Sequence, residues 1–378
     1  MTLCLSRRMK QSKIFILVVI ALLPLLLVSC IGGSAAVTTG WAGTTIHNGI
    51  IYAGTRDGKV VAINSSSHNQ QWPPYVFTST AIYTTPVVND DFVYVGTYSG
   101  KVVALTVDGG AERWEYPRSA DSIGAIVGRP VIADGTMFVS SSDGTVYALD
   151  PTYGDLKWQS DRLAEKLWTN PAVVGDTLYV STFDGHIYSL SAETGAALNW
   201  SFQSTAGFTS SPVVYGETIL LGSFDRHLYA VRIGADAPAW RFPQDKPAGN
   251  WFWSSPVVSG GIVYAGCLDG KIYALDATTG NEMWEFDTGA PIAVSPVLMD
   301  NFLIVANEAS EGSAVYVFDL STQTGAEGVP SNHVSLDAPV DSPFCAQNET
   351  AYIRSQDGLL YALDVSKGQI SWQVSLSG

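Results

Sequence analysis

At 378 residues, with 46% hydrophobic and 15% charged side chains, the chain is long and apolar enough for one large folded domain and too poor in charge for a disordered acidic tail. Its formal net charge of −15, from 20 basic against 35 acidic residues, offers no electrostatic footprint for nucleic acid. The same balance is repelled by anionic headgroups, so membrane attachment has to come through lipid and not through a basic patch.

Arg7, Arg8, Lys10 and Lys13 precede the apolar run Ile14–Val28, which leads into Ser29-Cys30. That run is short for a spanning helix, which needs about 20 apolar residues, and its flanks are those of a secretory leader. The Leu27-Val28-Ser29-Cys30 step resembles the lipobox of bacterial lipoproteins, which implies cleavage before Cys30 and lipid on its thiol. The expected organisation is a signal peptide over 1–29, a small polar tether over 30–40 and a folded domain over 41–378. Loss of the leader removes four basic and no acidic residues, so the mature chain is four charges more negative than the −15 of the whole. Ile31 stands where an Asp would mark inner-membrane retention under the enteric sorting rule. The expected location is therefore outside the cytoplasm, lipid-anchored at the outer face of the plasma membrane or in the outer membrane. Cys267 and Cys345 remain, and are expected as free thiols, with a disulfide between them as the alternative open to an exported protein.

From residue 41 onward the chain repeats itself with a period of roughly 43 residues. Gly58, Gly100, Gly144, Gly185, Arg226, Gly270, Gly312 and Gly358 mark the same turn in eight units. A proline opens the first strand at Pro86, Pro130, Pro171, Pro212, Pro256, Pro296 and Pro343, where its missing N–H costs a ladder nothing. A tryptophan falls in the fourth strand at Trp72, Trp114, Trp158, Trp200, Trp240, Trp284 and Trp372. Third strands such as Lys271–Leu275 are apolar on consecutive positions, the pattern of strands buried on both faces. Eight four-stranded antiparallel units of this period predict an all-β, eight-bladed propeller. Asp57, Asp143, Asp184, Asp269 and Asp357 precede turn glycines and are read as hairpin chemistry, with positive φ at both positions, not as acidic sites. The first unit lacks the opening proline. The seventh, Pro291–Pro330, lacks the fourth-strand tryptophan and is expected to carry the weakest outer strand.

The unit Ser255-Pro-Val-Val through Trp284 resembles the pyrroloquinoline-quinone-type propeller repeat, and the likeness extends over Trp41–Leu376. It implies that Ala274, Asp276, Thr279, Gly280 and Trp284, with the six other tryptophans, form blade-to-blade docking contacts. Two functional groups share this repeat. Quinoprotein dehydrogenases hold the quinone and Ca²⁺ over the axis; non-enzymatic propellers include the lipoprotein subunit of the outer-membrane β-barrel assembly machinery. The vicinal Cys-Cys pair of the first group has no counterpart among Cys4, Cys30, Cys267 and Cys345. The chain also has no room for the insertions that build their pocket, and no cofactor is expected. The second group agrees in length, anchor and blade count.

His47, His68, His186, His227 and His333 suggest no metal site, since His186 and His227 occupy one repeat position on successive blades. No nucleophile elbow, phosphate loop or zinc motif is present, and no catalytic residue is assigned. Recognition is expected on the connectors leading into each first strand. Three residues before each proline stand Tyr83, Val127, Trp168, Thr209, Trp253, Ala293 and Val340. Immediately before it stand Thr85, Arg129, Asn170, Ser211, Ser255, Ser295 and Ser342. These either line the mouth of a central funnel as a binding rim or plug the shaft. The candidate binding residues are Tyr83, Arg129, Trp168, Trp251, Trp253 and Asp341. The expected role is a monomeric, non-catalytic scaffold for other envelope proteins. The alternatives are a carrier or sensor of a small ligand, and a minimal quinoprotein dehydrogenase.

Overall fold

Short apolar segments separated by obligatory turns leave each repeat one economical solution, an antiparallel meander, and the chain adopts it eight times. The computed structural model describes residues 40–376 apart from 79, 120, 164, 165 and 311; the leader, Cys30 and residues 31–39 lie outside them. Eight four-stranded sheets follow one another, each paired in sequence order from first to fourth strand. In the sixth blade these are Val257–Ser259, Ile262–Gly266, Lys271–Asp276 and Glu282–Asp287. Its second and third strands are buried over four consecutive residues, because each is covered by the blades on both sides.

The core lies between the blades. Tyr264, Ile272 and Ala274 of the sixth pack on Leu303, Val305 and Phe318 of the seventh. The ring closes in the same way, with Tyr352, Leu360 and Ala362 of the eighth blade against Ile51, Ala53 and Val61 of the first. Both of these blades take all four strands from one continuous segment, so no strand is exchanged across the seam.

The tryptophans lie at the blade interfaces. Trp72 Nε1 donates to the Val107 carbonyl at 3.2 Å, Trp114 to Pro151 at 3.1 Å, and Trp240 to Ala277 at 3.0 Å, each in the next blade. A glycine with positive φ presses on the ring: a Cβ on Gly110 would stand 2.4 Å from Trp72, and one on Gly154 would stand 2.5 Å from Trp114. Only glycine combines that φ with that approach.

Four local expectations need correction. In the Asp-Gly hairpins only the second position has positive φ, as at Gly58 (79°) and Gly270 (96°). The Gly58 N–H bonds to the Thr55 carbonyl at 3.2 Å, giving a type I turn that ends in a left-handed glycine. Trp72 precedes the fourth strand of its blade, Tyr75–Val76, and does not sit in it. That two-residue strand is also shorter than the outer strand of the seventh blade, Asn332–Ser335. There a one-turn helix, Gln323–Ala326, capped by Thr322, fills the irregular segment, and Asn332 stands in the tryptophan's place with its amide donating to the Ser366 carbonyl at 3.3 Å. The last correction concerns register. Cys345 pairs with Tyr352 as Val257 pairs with Tyr264, so Phe344 is the counterpart of Pro256, and Pro343 sits one position early.

Candidate functional site: an aromatic rim above a polar waist

The first strands line the axis, and a cavity of about 740 Å³ opens at the end carrying the connectors and the second-to-third-strand turns. Corrected for register, the position three before the proline reads Trp41, Tyr83, Val127 and Trp168 in the first four blades. In the last four it reads Thr209, Trp253, Ala293 and Asp341, and all eight residues line this cavity. Asp341, not Val340, completes the ring; Val340 is fully buried in the core.

The aromatics gather in two groups. Trp41 lies 4.3 Å from Tyr83, which lies 5.1 Å from Tyr98. On the fourth to sixth blades, Trp168 meets Phe183 at 4.9 Å, Phe183 meets Phe224 at 5.5 Å, and Phe224 meets Trp251 at 5.2 Å and Trp253 at 6.4 Å. Most of these contacts are edge-to-face, the arrangement favoured by the ring quadrupole. Trp41 and Tyr98 are 42% and 38% exposed. Lys166 lies 5.8 Å above the Trp168 ring. Of the rim residues, Trp41, Tyr98, Phe183 and Phe224 are absent from the sequence-based candidates. The last three fill the turn position before Asp or Ser in Thr/Ser-x-Asp/Ser, so comparing that column across the repeats would have found them.

Below the rim the pre-proline side chains join in a belt. The Arg129 N–H donates to Asn170 Oδ1 at 2.6 Å, and Asn170 N–H to Ser211 Oγ at 2.9 Å. Ser211 N–H donates to Ser255 Oγ at 3.1 Å, and Ser255 N–H to Ser295 Oγ at 3.0 Å. The belt stops at the eighth blade because Pro343 has neither a donor nor a side-chain acceptor. Its carbonyl instead accepts the Thr44 N–H of the first blade at 3.0 Å. A second cavity of about 580 Å³ lies on the other side and shares Arg129, Asn170, Ser211 and Ser255 with the first. The belt is therefore the waist of the shaft, and the shaft is not plugged by the aromatics.

Charge at the waist is uneven. Arg129 is exposed to the solvent of the cavity; desolvation by the surrounding protein lowers its pKa, and a guanidinium keeps its proton regardless. Across the upper cavity, burial and then Asp341 push the Glu308 carboxyl above its ordinary range. Asp341 pairs with Arg354 at 3.2 Å, and Arg354, only 1% exposed, also donates from Nε to the Ala42 carbonyl at 3.1 Å. Cys345 lines the same cavity as a free thiol, its pKa raised to about 11 chiefly by burial. Cys267 is free and buried. His186 and His227 each face the aspartate of their own turn at 3.2 Å.

With the geometry in hand, the family model described as "Outer membrane protein assembly factor BamB" matches the chain over residues 34–144, 78–195 and 142–374. The chain belongs to this BamB-like repeat family. Among solved structures, BamB from Moraxella catarrhalis is similar at TM-score 0.65 and 20% identity, covering 84% of this chain and 92% of that one. The computationally designed Ika8 protein gives TM-score 0.70 at 15% identity, over 86% and 96% of the two chains. Quinohemoprotein alcohol dehydrogenase from Comamonas testosteroni gives 0.64 at 13% identity, over 87% and 71%. At such identities these likenesses report the fold alone. Comparison with curated protein sequences returns no match.

Proposed function

We propose that the propeller is a non-catalytic binding scaffold for other proteins of the cell envelope, held outside the cytoplasm by lipid on Cys30. One observation carries this reading: the aromatic band Trp168–Phe183–Phe224–Trp251/Trp253 crosses three successive blades on the face that carries the connectors, which differ in length from 16 residues between Trp114 and Pro130 to 12 between Trp200 and Pro212. Aromatics on variable loops over a rigid ring are characteristic anchors of protein interfaces. The family description, an outer-membrane assembly factor, supports a role in envelope assembly, and the leader ending at Ser29-Cys30 supports the location.

A photo-crosslinking residue at Phe224 in the native host tests the reading, with one at Tyr153, an exposed side chain of a third-to-fourth-strand turn, as the opposite-face control. Discrete protein adducts from position 224 and none from 153 are expected; equal labelling from both rejects the rim as the interface. The quinoprotein reading has its own test. Addition of pyrroloquinoline quinone with Ca²⁺ is expected to give no dye-linked alcohol oxidation, and turnover would overturn the non-catalytic assignment.

A further inference from the structure

The polarity of the waist has a chemical consequence. Each belt oxygen is already used as an acceptor: Asn170 Oδ1 and the Oγ atoms of Ser211, Ser255 and Ser295 each take a backbone N–H from the preceding blade. A hydroxyl that accepts still has one hydrogen to give, and an amide whose oxygen is taken still has its NH₂. Among the described residues, none of these hydrogens is donated to a protein acceptor, and the Arg129 guanidinium forms no ion pair or hydrogen bond. The waist therefore offers the shaft donors and a single positive charge. The lower cavity beneath it is lined by Val87, Val131, Val213 and their neighbours, with no acidic side chain.

We propose that the waist is a binding site for a small monocarboxylate with an apolar body. An ionised carboxylate is acceptor-only and matches the planar guanidinium fork, so it satisfies Arg129 and the belt hydrogens together. One cation balances one negative charge. A second charge on the ligand would meet Glu308 and Asp341 on the wall of the upper cavity, which disfavours dicarboxylates and phosphate. An apolar body fits the wall above the waist, where Trp168, Phe183 and Trp253 line the cavity. This site goes beyond the scaffold reading and does not depend on it, since it rests on the belt and not on the exposed rim.

Isothermal titration of the mature propeller at fixed ionic strength, with 3-phenylpropionate against the neutral 3-phenylpropanamide, tests the assignment without any mutation. Saturable one-to-one binding is expected, with the acid at least about tenfold tighter than the amide. Equal affinities, or no saturable binding of the acid, overturn the proposal, as does inorganic phosphate binding more tightly than the acid. Arg129→Gln should erase the preference for acid over amide, and Arg129→Lys should retain part of it. A preference that survives Arg129→Gln, in protein whose thermal unfolding matches wild type, would equally overturn it.

Discussion

The imidazole of His68 stacks on the indole of Trp372, with ring centroids 4.4 Å apart and planes 29° from parallel. The two residues belong to the first and last blades, and His68 occupies the place that Gly110, Gly154, Gly195 and Gly280 fill in the second, third, fourth and sixth. Its N–H bonds back to the Asn64 carbonyl at 2.8 Å as Gly110 bonds to Thr106 at 2.9 Å, and its φ of 61° is left-handed. At the seam, a ring contact replaces the bare glycine that lies on Trp72, Trp114, Trp158, Trp240 and Trp284.

Replacing His68 by glycine should change stability little. Release of the left-handed strain, about 1 kcal/mol, offsets loss of a stack worth about as much. His68→Val, which keeps a side chain but stiffens the backbone against that φ, should destabilise clearly. Trp372→Ala should cost about 2 kcal/mol, because this tryptophan is partly exposed, against about 3–5 kcal/mol for the buried Trp114→Ala. Urea unfolding midpoints would rank the four variants, and a large loss in His68→Gly would contradict the offset.

Ser255→Ala removes the acceptor of the Ser211 N–H and leaves a donor at the waist without its bond. A loss of about 1–2 kcal/mol is expected, with faster hydrogen exchange at the Ser211 amide specifically. Unchanged exchange at that amide would mean the belt contributes nothing.

Arg354 stands where Gly54, Gly96, Gly222 and Gly266 end their second strands, and it bridges Asp341 to the lead-in of the first blade at Ala42. Arg354→Ala strands the Asp341 carboxylate beside a new cavity and should cost about 3–5 kcal/mol. Combining Arg354→Met with Asp341→Asn should recover much of that loss. Calorimetric unfolding of the single and double variants decides it, and additive losses would show that the pair is not coupled.

Glu308 contributes a pH dependence of definite sign. Its carboxyl holds its proton more tightly in the folded protein, first because it is buried and then because Asp341 is near. The native state therefore binds more protons than the unfolded chain as pH rises above the ordinary value of 4.5, and stability falls through that window. Glu308→Gln should leave stability near pH 4 unchanged and make its decline toward neutral pH shallower. Parallel melting curves for the two proteins from pH 4 to 8 would refute this.

Much of the fold was legible because its signals are local and repeated. A left-handed turn glycine, a proline at a strand start and a doubly buried third strand each follow from short-range chemistry, and eight copies make the period unmistakable. The site was legible only in part. Tyr83, Trp168, Trp253 and Arg129 were found by counting back from the prolines; counting back from Pro343 put Val340 at the ring position, although Asp341 was itself named among the candidate binding residues. Proline marks a strand start only loosely, and the hydrogen-bond register that identifies Phe344 as its counterpart requires the paired strand.

By itself, the sequence determined an eight-bladed, all-β ring, because hydrophobic period, turn chemistry and repeat length all agree on it. Tertiary structure decided what that ring presents. The waist presents free hydroxyl and amide hydrogens to the shaft because Asn170, Ser211, Ser255 and Ser295 accept N–H groups from residues 41, 41, 44 and 40 positions away. The seam is held by contacts between residues about 300 apart, His68 with Trp372 and Arg354 with Ala42. Hydrogen-bond polarity and ring closure depend on which atoms meet across the axis and the seam, and no window of sequence contains both partners.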